Sequence, residues 1–187
     1  MMVFYKIFNK IHTIFQNIQH NAYLKICIHH GLKLGKNVTV RNNVSFGSEP
    51  FLIEIGDNTG IASGVTFITH SGFTTVIRNI AGYEEVRNFG KIKVGENCAI
   101  GINSVILQDV EIGDNCVLGA NSVLSESMPS NTVFAGNPAK YVCEIEDYGD
   151  VLKKTTVNYP IELEKNRKEL NNWLKNNLPE KYKAANY

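Results

Sequence analysis

From Leu34 to about Val142 the chain places an aliphatic or aromatic residue at every sixth position. Starting at Val94 the series reads Val94, Ile100, Ile106, Ile112, Leu118 and Leu124, and the next positions are Gly95, Gly101, Leu107, Gly113, Gly119 and Ser125. The fifth place of each hexad is restricted too, as Cys98, Ser104, Val110, Cys116, Ser122 and Met128. Upstream the period returns as Leu34, Val40 and Phe46 and then, after a three-residue slip, as Ile55, Ile61 and Phe67. A helix cannot use this pattern, because residues six apart point about 240° away from one another, and a flat strand would alternate at two. A coil of very short strands joined at corners can use it. The aliphatic and small fifth residues then face inward, and glycine sits near the corner, where its conformational freedom helps. One turn of such a coil cannot bury its own apolar face, so turns must stack at the strand spacing of about 4.8 Å. The pattern predicts an all-β repeat, a parallel β-helix.

Two stretches fall out of register: a short excursion at 49–54, and 71–89, which leaves the coil directly after His70. A loop of that length without a repeat is a functional candidate. Before the coil, Phe4, Ile7, Phe8, Ile11, Ile14, Phe15 and Ile18 fall at helical spacing with polar residues between them, which predicts an amphipathic helix and not a secretion signal. After the coil, Ile161, Leu163, Leu170, Trp173, Leu174 and Leu178 mark one face of a second helix. The expected organisation is a helical segment over 1–31, the coil over 32–143 and a helical extension over 144–187.

Composition changes this picture in three ways. The 22 Asn among 187 residues are a heavy load of a turn residue, which suits a chain that turns often. The balance of 19 Lys+Arg against 18 Asp+Glu gives a net charge of +1, so charge points neither to a nucleic acid nor to a membrane surface. Cys27, Cys98, Cys116 and Cys143 form no CxxC pair and no metal spacing, which favours reduced thiols in a cytoplasmic protein, and no apolar run reaches 18 residues.

The hexads IGDNTG-IASGVT and VGENCA-IGINSV-ILQDVE-IGDNCV-LGANSV-LSESMP, followed by AGNPAKYV, resemble the hexapeptide-repeat acyltransferases, and within them the O-acetyltransferases of sugars and bacterial polysaccharides such as the galactoside and maltose enzymes. The resemblance covers about 110 residues and implies a left-handed parallel β-helix with three hexads per coil, so that Cys98 lies over Cys116 and Ser104 over Ser122. It also implies acetyl-CoA as co-substrate, no metal, a small-molecule or oligosaccharide acceptor, and a homotrimer with active sites between subunits. The serine-specific branch would carry a longer N-terminal helical domain than the roughly 30 residues before these hexads. N-acetylation of an amino sugar and a non-catalytic β-helix scaffold remain as alternatives. A carbonic-anhydrase-like member would need three His from the coil, which contains only His70.

Acyl transfer to a hydroxyl needs a base, and imidazole is the side chain poised near neutral pH. His12, His20, His29 and His30 lie outside the repeat, whereas Thr69-His70-Ser71-Gly72 ends a hexad run at the long loop and resembles the catalytic segment of the sugar acetyltransferases. His70 is therefore the expected general base. A backbone carbonyl or a loop carboxylate such as Glu84 or Glu85 could hold its second nitrogen. By resemblance, Asn42 stands near the acceptor, with Glu49 and Arg78 as weaker acceptor-side candidates, Arg78 suiting an anionic sugar. Gly101, Ile102, Ala120 and Ser125 would line the pantetheine arm, and Lys140, after Ala135-Gly136-Asn137-Pro138-Ala139, would meet the phosphates. Two departures stand out: Cys143 replaces a second basic residue, and Ala99 replaces a tryptophan, so the acyl pocket is roomier or takes an aromatic from Phe73 or Tyr83. The N-terminal helix is also compatible with a peripheral membrane contact.

Overall fold

The computed structural model describes residues 1–179; the last eight positions of the expected 144–187 extension lie outside the described residues. Helix α1 (Met2–His29) precedes the coil. The first turn of the coil carries β1 (Lys33–Leu34) and β2 (Thr39–Val40), and the second β3 (Ile53–Ile55), β4 (Gly60–Ile61) and β5 (Thr66–Phe67). A short helix α2 (Thr74–Arg78) lies in the long loop. The third turn has β6 (Ile92–Val94), β7 (Ala99–Ile100) and β8 (Val105–Ile106), and the fourth β9 (Val110–Ile112), β10 (Val117–Leu118) and β11 (Val123–Leu124). Strand β12 (Thr132–Gly136) begins a fifth turn, and β13 (Ala139–Glu144) folds back against it.

Three parallel faces result: β1-β3-β6-β9, then β2-β4-β7-β10-β12, then β5-β8-β11, to which Ser45 adds by bridging Thr66. Val117 pairs with Ala99 and Val123 with Val105, the offset of 18 that three hexads per coil require. The core is the predicted one. Ile61, Ile100, Ile106, Ile112, Leu118 and Leu124 are at most 2% exposed, and every fifth-place residue from Cys98 to Met128 is buried. Buried hydroxyls are bonded: Ser104 Oγ donates to the Gly119 carbonyl, and Ser122 Oγ accepts the Gly136 N–H.

The corners differ from expectation in how they turn. The second-place glycines Gly56, Gly95, Gly101 and Gly113 do not take positive φ; they permit close stacking, since a Cβ on Gly56 would stand 2.7 Å from the Gly95 carbonyl carbon. Positive φ belongs to Asn97, Asn103, Asp109, Asn115 and Asn121, again six apart, and to Asn37, Asn43 and Asn58 above them. Asn tolerates the left-handed region better than most residues. Its amides also ladder up the coil, Asn97 to Asn115 at 2.8 Å and Asn115 to Asn131 at 2.9 Å. Eight of the 22 Asn thus serve to turn the coil at its corners.

Residues 1–148 form one compact unit and the described residues from 149 onward another. In the first, α1 is joined to the coil: Cys27 lies in the core, Tyr23 and Leu24 pack on it, and the Phe46 N–H donates to Tyr23 Oη at 2.9 Å. Helix α3 (Ile145–Thr155) was not foreseen, although Glu146 and Asp147 in its first turn and Lys153 and Lys154 in its last suit the helix dipole. In the second unit the single expected helix is a 3-10 turn at Ile161–Lys165 and then α4 (Arg167–Asn177). Asn166 breaks the two apart, because its side chain accepts the Lys168 and Glu169 N–H groups as an N-cap.

Burial pushes the Cys98 thiol up to about 11, and its Sγ donates to the Gly113 carbonyl at 3.1 Å. Native protein treated with iodoacetamide at neutral pH is expected to carry the label on partly exposed Cys143 and not on Cys98. Peptide mass mapping that found the two labelled at similar rates would contradict this burial.

Candidate functional site

The site begins at the corner that follows β5. Thr69 is 1% exposed there, and His70 turns outward. The excursion after Phe46 forms a 3-10 turn at Pro50–Leu52 and sets Glu49 under this corner. Glu49 Oε2 accepts from Thr69 Oγ1 at 2.7 Å and lies 2.9 Å from His70 Nδ1. The Thr69 hydroxyl, and after it His70, hold the Glu49 carboxyl below the usual range, against the opposing effect of burial. Glu49 is therefore ionised at neutral pH. Its depressed value stabilises the fold above the ordinary glutamate range, and that contribution disappears as pH falls through the lowered value. A carboxylate can only accept, so neutral His70 carries its proton on Nδ1 and leaves Nε2 as a free lone pair.

The long loop is pinned at both sides of this histidine. Ser71 N–H donates to Asn88 O at 3.0 Å, Gly90 N–H donates to Thr69 O at 2.9 Å, and His70 bridges Phe89. A cavity of about 170 Å³ opens there, lined by His70, Ser71, Thr74, Arg78, Arg87 and Phe89 among others. Arg78 is braced by the hydroxyls of Thr74 (2.9 Å) and Thr75 (3.1 Å), and Arg87 by the carbonyls of Glu84 and Val86. Neither guanidinium meets a carboxylate among the described residues. The site can thus accept a proton at Nε2 beside two cations.

Several expectations change here. Neither Glu84 nor Glu85 holds His70; the Glu84 carboxylate accepts the Gly82 N–H instead. Glu49, expected on the acceptor side, is the hydrogen-bond partner of His70. The aromatic beside His70 is Phe89, with ring centres 5.6 Å apart, while Phe73 is 85% exposed. Arg87 and Phe89 were not foreseen, and nothing in the hexads could place them. Glu49 had a signal. The slip makes the first coil 21 residues long, as Leu34 to Ile55 and Phe46 to Phe67 show, and 21 beyond Glu49 is His70.

The remaining candidates fall on two edges of the prism. Asn42, Gly101, Ile102 and Ala120 share the edge between the second and third faces, where the Asn42 carbonyl accepts from Gly64 and the Ile102 carbonyl from Asn121. Gly101 stacks on Gly119 with the Ala120 amide nitrogen against it, and its own N–H donates to the Leu118 carbonyl at 2.8 Å. Asn42 lines a separate polar cleft of about 400 Å³ with Gln16, His20, Tyr23 and Ser45. His70, Glu49 and Ser125 share the edge between the third and first faces. Ser125 is two coils from His70, about 10 Å along the axis at the strand spacing. Lys140 Nζ stands nearby, held 3.2 Å from both Glu126 oxygens. One chain therefore does not bring all the predicted residues together.

Residues 91–126 match the family model "bacterial transferase hexapeptide (six repeats)". Protein CapG of Staphylococcus aureus is 53% identical over 104 residues, which is 56% of this chain and 59% of that protein, so the chain spans about three fifths of this relative. Among solved structures, a maltose O-acetyltransferase from Clostridium difficile 630 superposes with a TM-score of 0.55 at 24% identity, covering 73% of this chain and 83% of that one. A hexapeptide-repeat acetyltransferase from Vibrio cholerae O1 biovar eltor, solved with acetyl coenzyme A, gives 0.53 at 24% identity over 65% of this chain and 75% of that one. At that identity the two structures speak to the fold. The hexads at 91–126 thus match the bacterial transferase hexapeptide model, and the fold is the left-handed β-helix seen in the hexapeptide-repeat acetyltransferase structures.

Proposed function

We propose that the protein is an acetyl-CoA-dependent O-acetyltransferase acting on a sugar hydroxyl in surface polysaccharide biosynthesis. The observation that carries the reading is the Glu49–His70 pair, whose free Nε2 opens on the loop cavity. His70 takes the acceptor's hydroxyl proton, and the resulting alkoxide attacks the acetyl carbonyl. The tetrahedral intermediate expels the CoA thiolate, which recovers the proton from the His70 imidazolium. Glu49 positions the imidazole and offsets its charge during the step. The acetyl donor and the sugar acceptor follow the two structures named above, one solved with acetyl coenzyme A and the other a maltose O-acetyltransferase.

The site is completed in a homotrimer. Packing three prisms side by side sets the edge of Asn42, Gly101, Ile102 and Ala120 of one copy against the His70 edge of the next, which supplies the donor groove that a single chain lacks. Short side chains at Gly101 and Ala120 leave room for a thin pantetheine arm, and Lys140 reaches its phosphates by exchanging Glu126 for them. The acceptor bears a negative charge close to the acetylated hydroxyl, because Arg78 and Arg87 face the cavity without carboxylate partners among the described residues. The unit works in the cytoplasm.

The test is calorimetry with acetyl-CoA, followed by thiol release in the presence of neutral and uronic-acid sugars. Absence of acetyl-CoA binding overturns the transferase reading, and equal use of neutral and anionic sugars overturns the role of the arginines. Glu49→Gln is expected to lower kcat about tenfold to a hundredfold with little change in KM, since it frees an imidazole whose placement matters at the ångström scale. Unchanged kcat in steady-state assays would remove Glu49 from the mechanism.

A further inference from the structure

Net charge conceals a strong asymmetry. All 18 acidic residues lie at or beyond Glu49, whereas Lys6, Lys10, Lys25, Lys33, Lys36 and Arg41 precede it. Helix α1 is thus free of acidic groups, and its first half is apolar where no described residue covers it. Phe4 is 70% exposed, Ile7 55%, Phe8 58%, Ile11 60%, Phe15 57% and Ile18 60%. At 100° per residue these six fall within an arc of about 100°, over roughly 21 Å of helix. Tyr23, Leu24 and Cys27, which dock α1 on the coil, project from the opposite side of the helix. His20, whose Nε2 lies 3.0 Å from the Val40 carbonyl, projects from that same opposite side. The coil that anchors the helix therefore turns its apolar stripe outward.

We infer that the first half of α1 is an in-plane anchor for an anionic lipid surface. No described helix is long and apolar enough to cross a bilayer, so the stripe lies in the interface. Lys10 flanks one border of the stripe at about 60° from it, and Lys25 stands in line with that border further on, both placed to reach lipid phosphates, whereas Lys6 projects from the side of Leu24. A second copy of the same helix fits less well, because pairing two acid-free helices gathers lysines with no carboxylate to meet them. The inference corrects the reading of net charge, which gave no hint of a membrane.

The experiment is vesicle co-sedimentation of the full chain, using phosphatidylcholine alone and with roughly a third phosphatidylglycerol. Wild type is expected to pellet with the anionic vesicles and to be released by salt. The double variant Ile11→Asp, Phe15→Asp should bind at least about tenfold less with an unchanged Tm, since both positions are exposed. Lys10→Ala and Lys25→Ala should each weaken binding about fivefold, and Lys6→Ala should weaken it less. Wild type remaining in the supernatant with both vesicles overturns the inference, and so does pelleting that the double variant leaves unchanged. A vesicle-free mass by light scattering that falls in the double variant assigns the stripe to self-association and equally overturns it.

Discussion

Replacing His70 with alanine is expected to lower acetyl transfer by about 10²–10⁴-fold, the usual contribution of a positioned general base. The loss should fall on kcat. Acetyl-CoA binding measured by calorimetry should persist, because the proposed donor groove lies along Gly101, Ala120 and Lys140. Folding should persist as well, since the His70 side chain is 41% exposed and makes its hydrogen bond through a single ring nitrogen to Glu49. Melting temperatures of wild type and variant should agree within a few degrees. Thiol release by His70→Ala at the wild-type rate would transfer the base role elsewhere, while a lost Tm would show that the Glu49–His70 pair is structural.

Phe67→Ala is expected to cost about 3–5 kcal/mol, the range for emptying a buried aromatic site. Phe67 is 1% exposed and stacks on Phe46 with ring centres 5.3 Å apart, and Phe46 in turn faces Tyr23 of α1 at 6.3 Å. The stack ties helix to coil. Collapse into the vacated space is opposed by the ladder on both sides, where Phe67 N–H donates to Ser45 O and Ile68 N–H to Ile106 O, each at 2.9 Å. His70 lies three residues on, so activity per folded molecule should fall too. Urea denaturation measures the effect, with Phe51→Ala as control; Phe51 is 59% exposed and should change stability by about 0.5 kcal/mol or less. A Phe67→Ala loss near that of the control would mean that the turns relax independently, which the continuous ladder argues against.

Much of the coil was legible because its cause is periodic. An inward aliphatic residue every sixth place and a small residue at the fifth are local requirements, repeated often enough to stand above composition. The corners were read half correctly. Asn was expected there, but positive φ was credited to glycine, and the structure divides the two tasks: Asn103 and Asn121 turn the chain while Gly101 and Gly119 let the next coil approach. The helix limits failed where capping decided them, as at Asn166, since a stripe of apolar residues does not reveal where a side chain will take over a backbone N–H.

For the site, residue type and position in the repeat were enough to single out His70. Its partner was encoded as well, in the slip that makes residues 21 apart stack, yet Glu49 sat in an excursion where no hexad called for it. The sequence by itself determined the period, the inward residues, the corner asparagines, the apolar stripe of α1 and the segregation of charge, because each is a property of near neighbours along the chain. The tertiary structure alone decided that Phe89 and Arg87 face His70, that the candidate residues divide between two edges, and that the apolar stripe points away from the coil. Those outcomes depend on the path of a 19-residue loop and on which side of a helix docks, and neither leaves a repeating mark in the sequence.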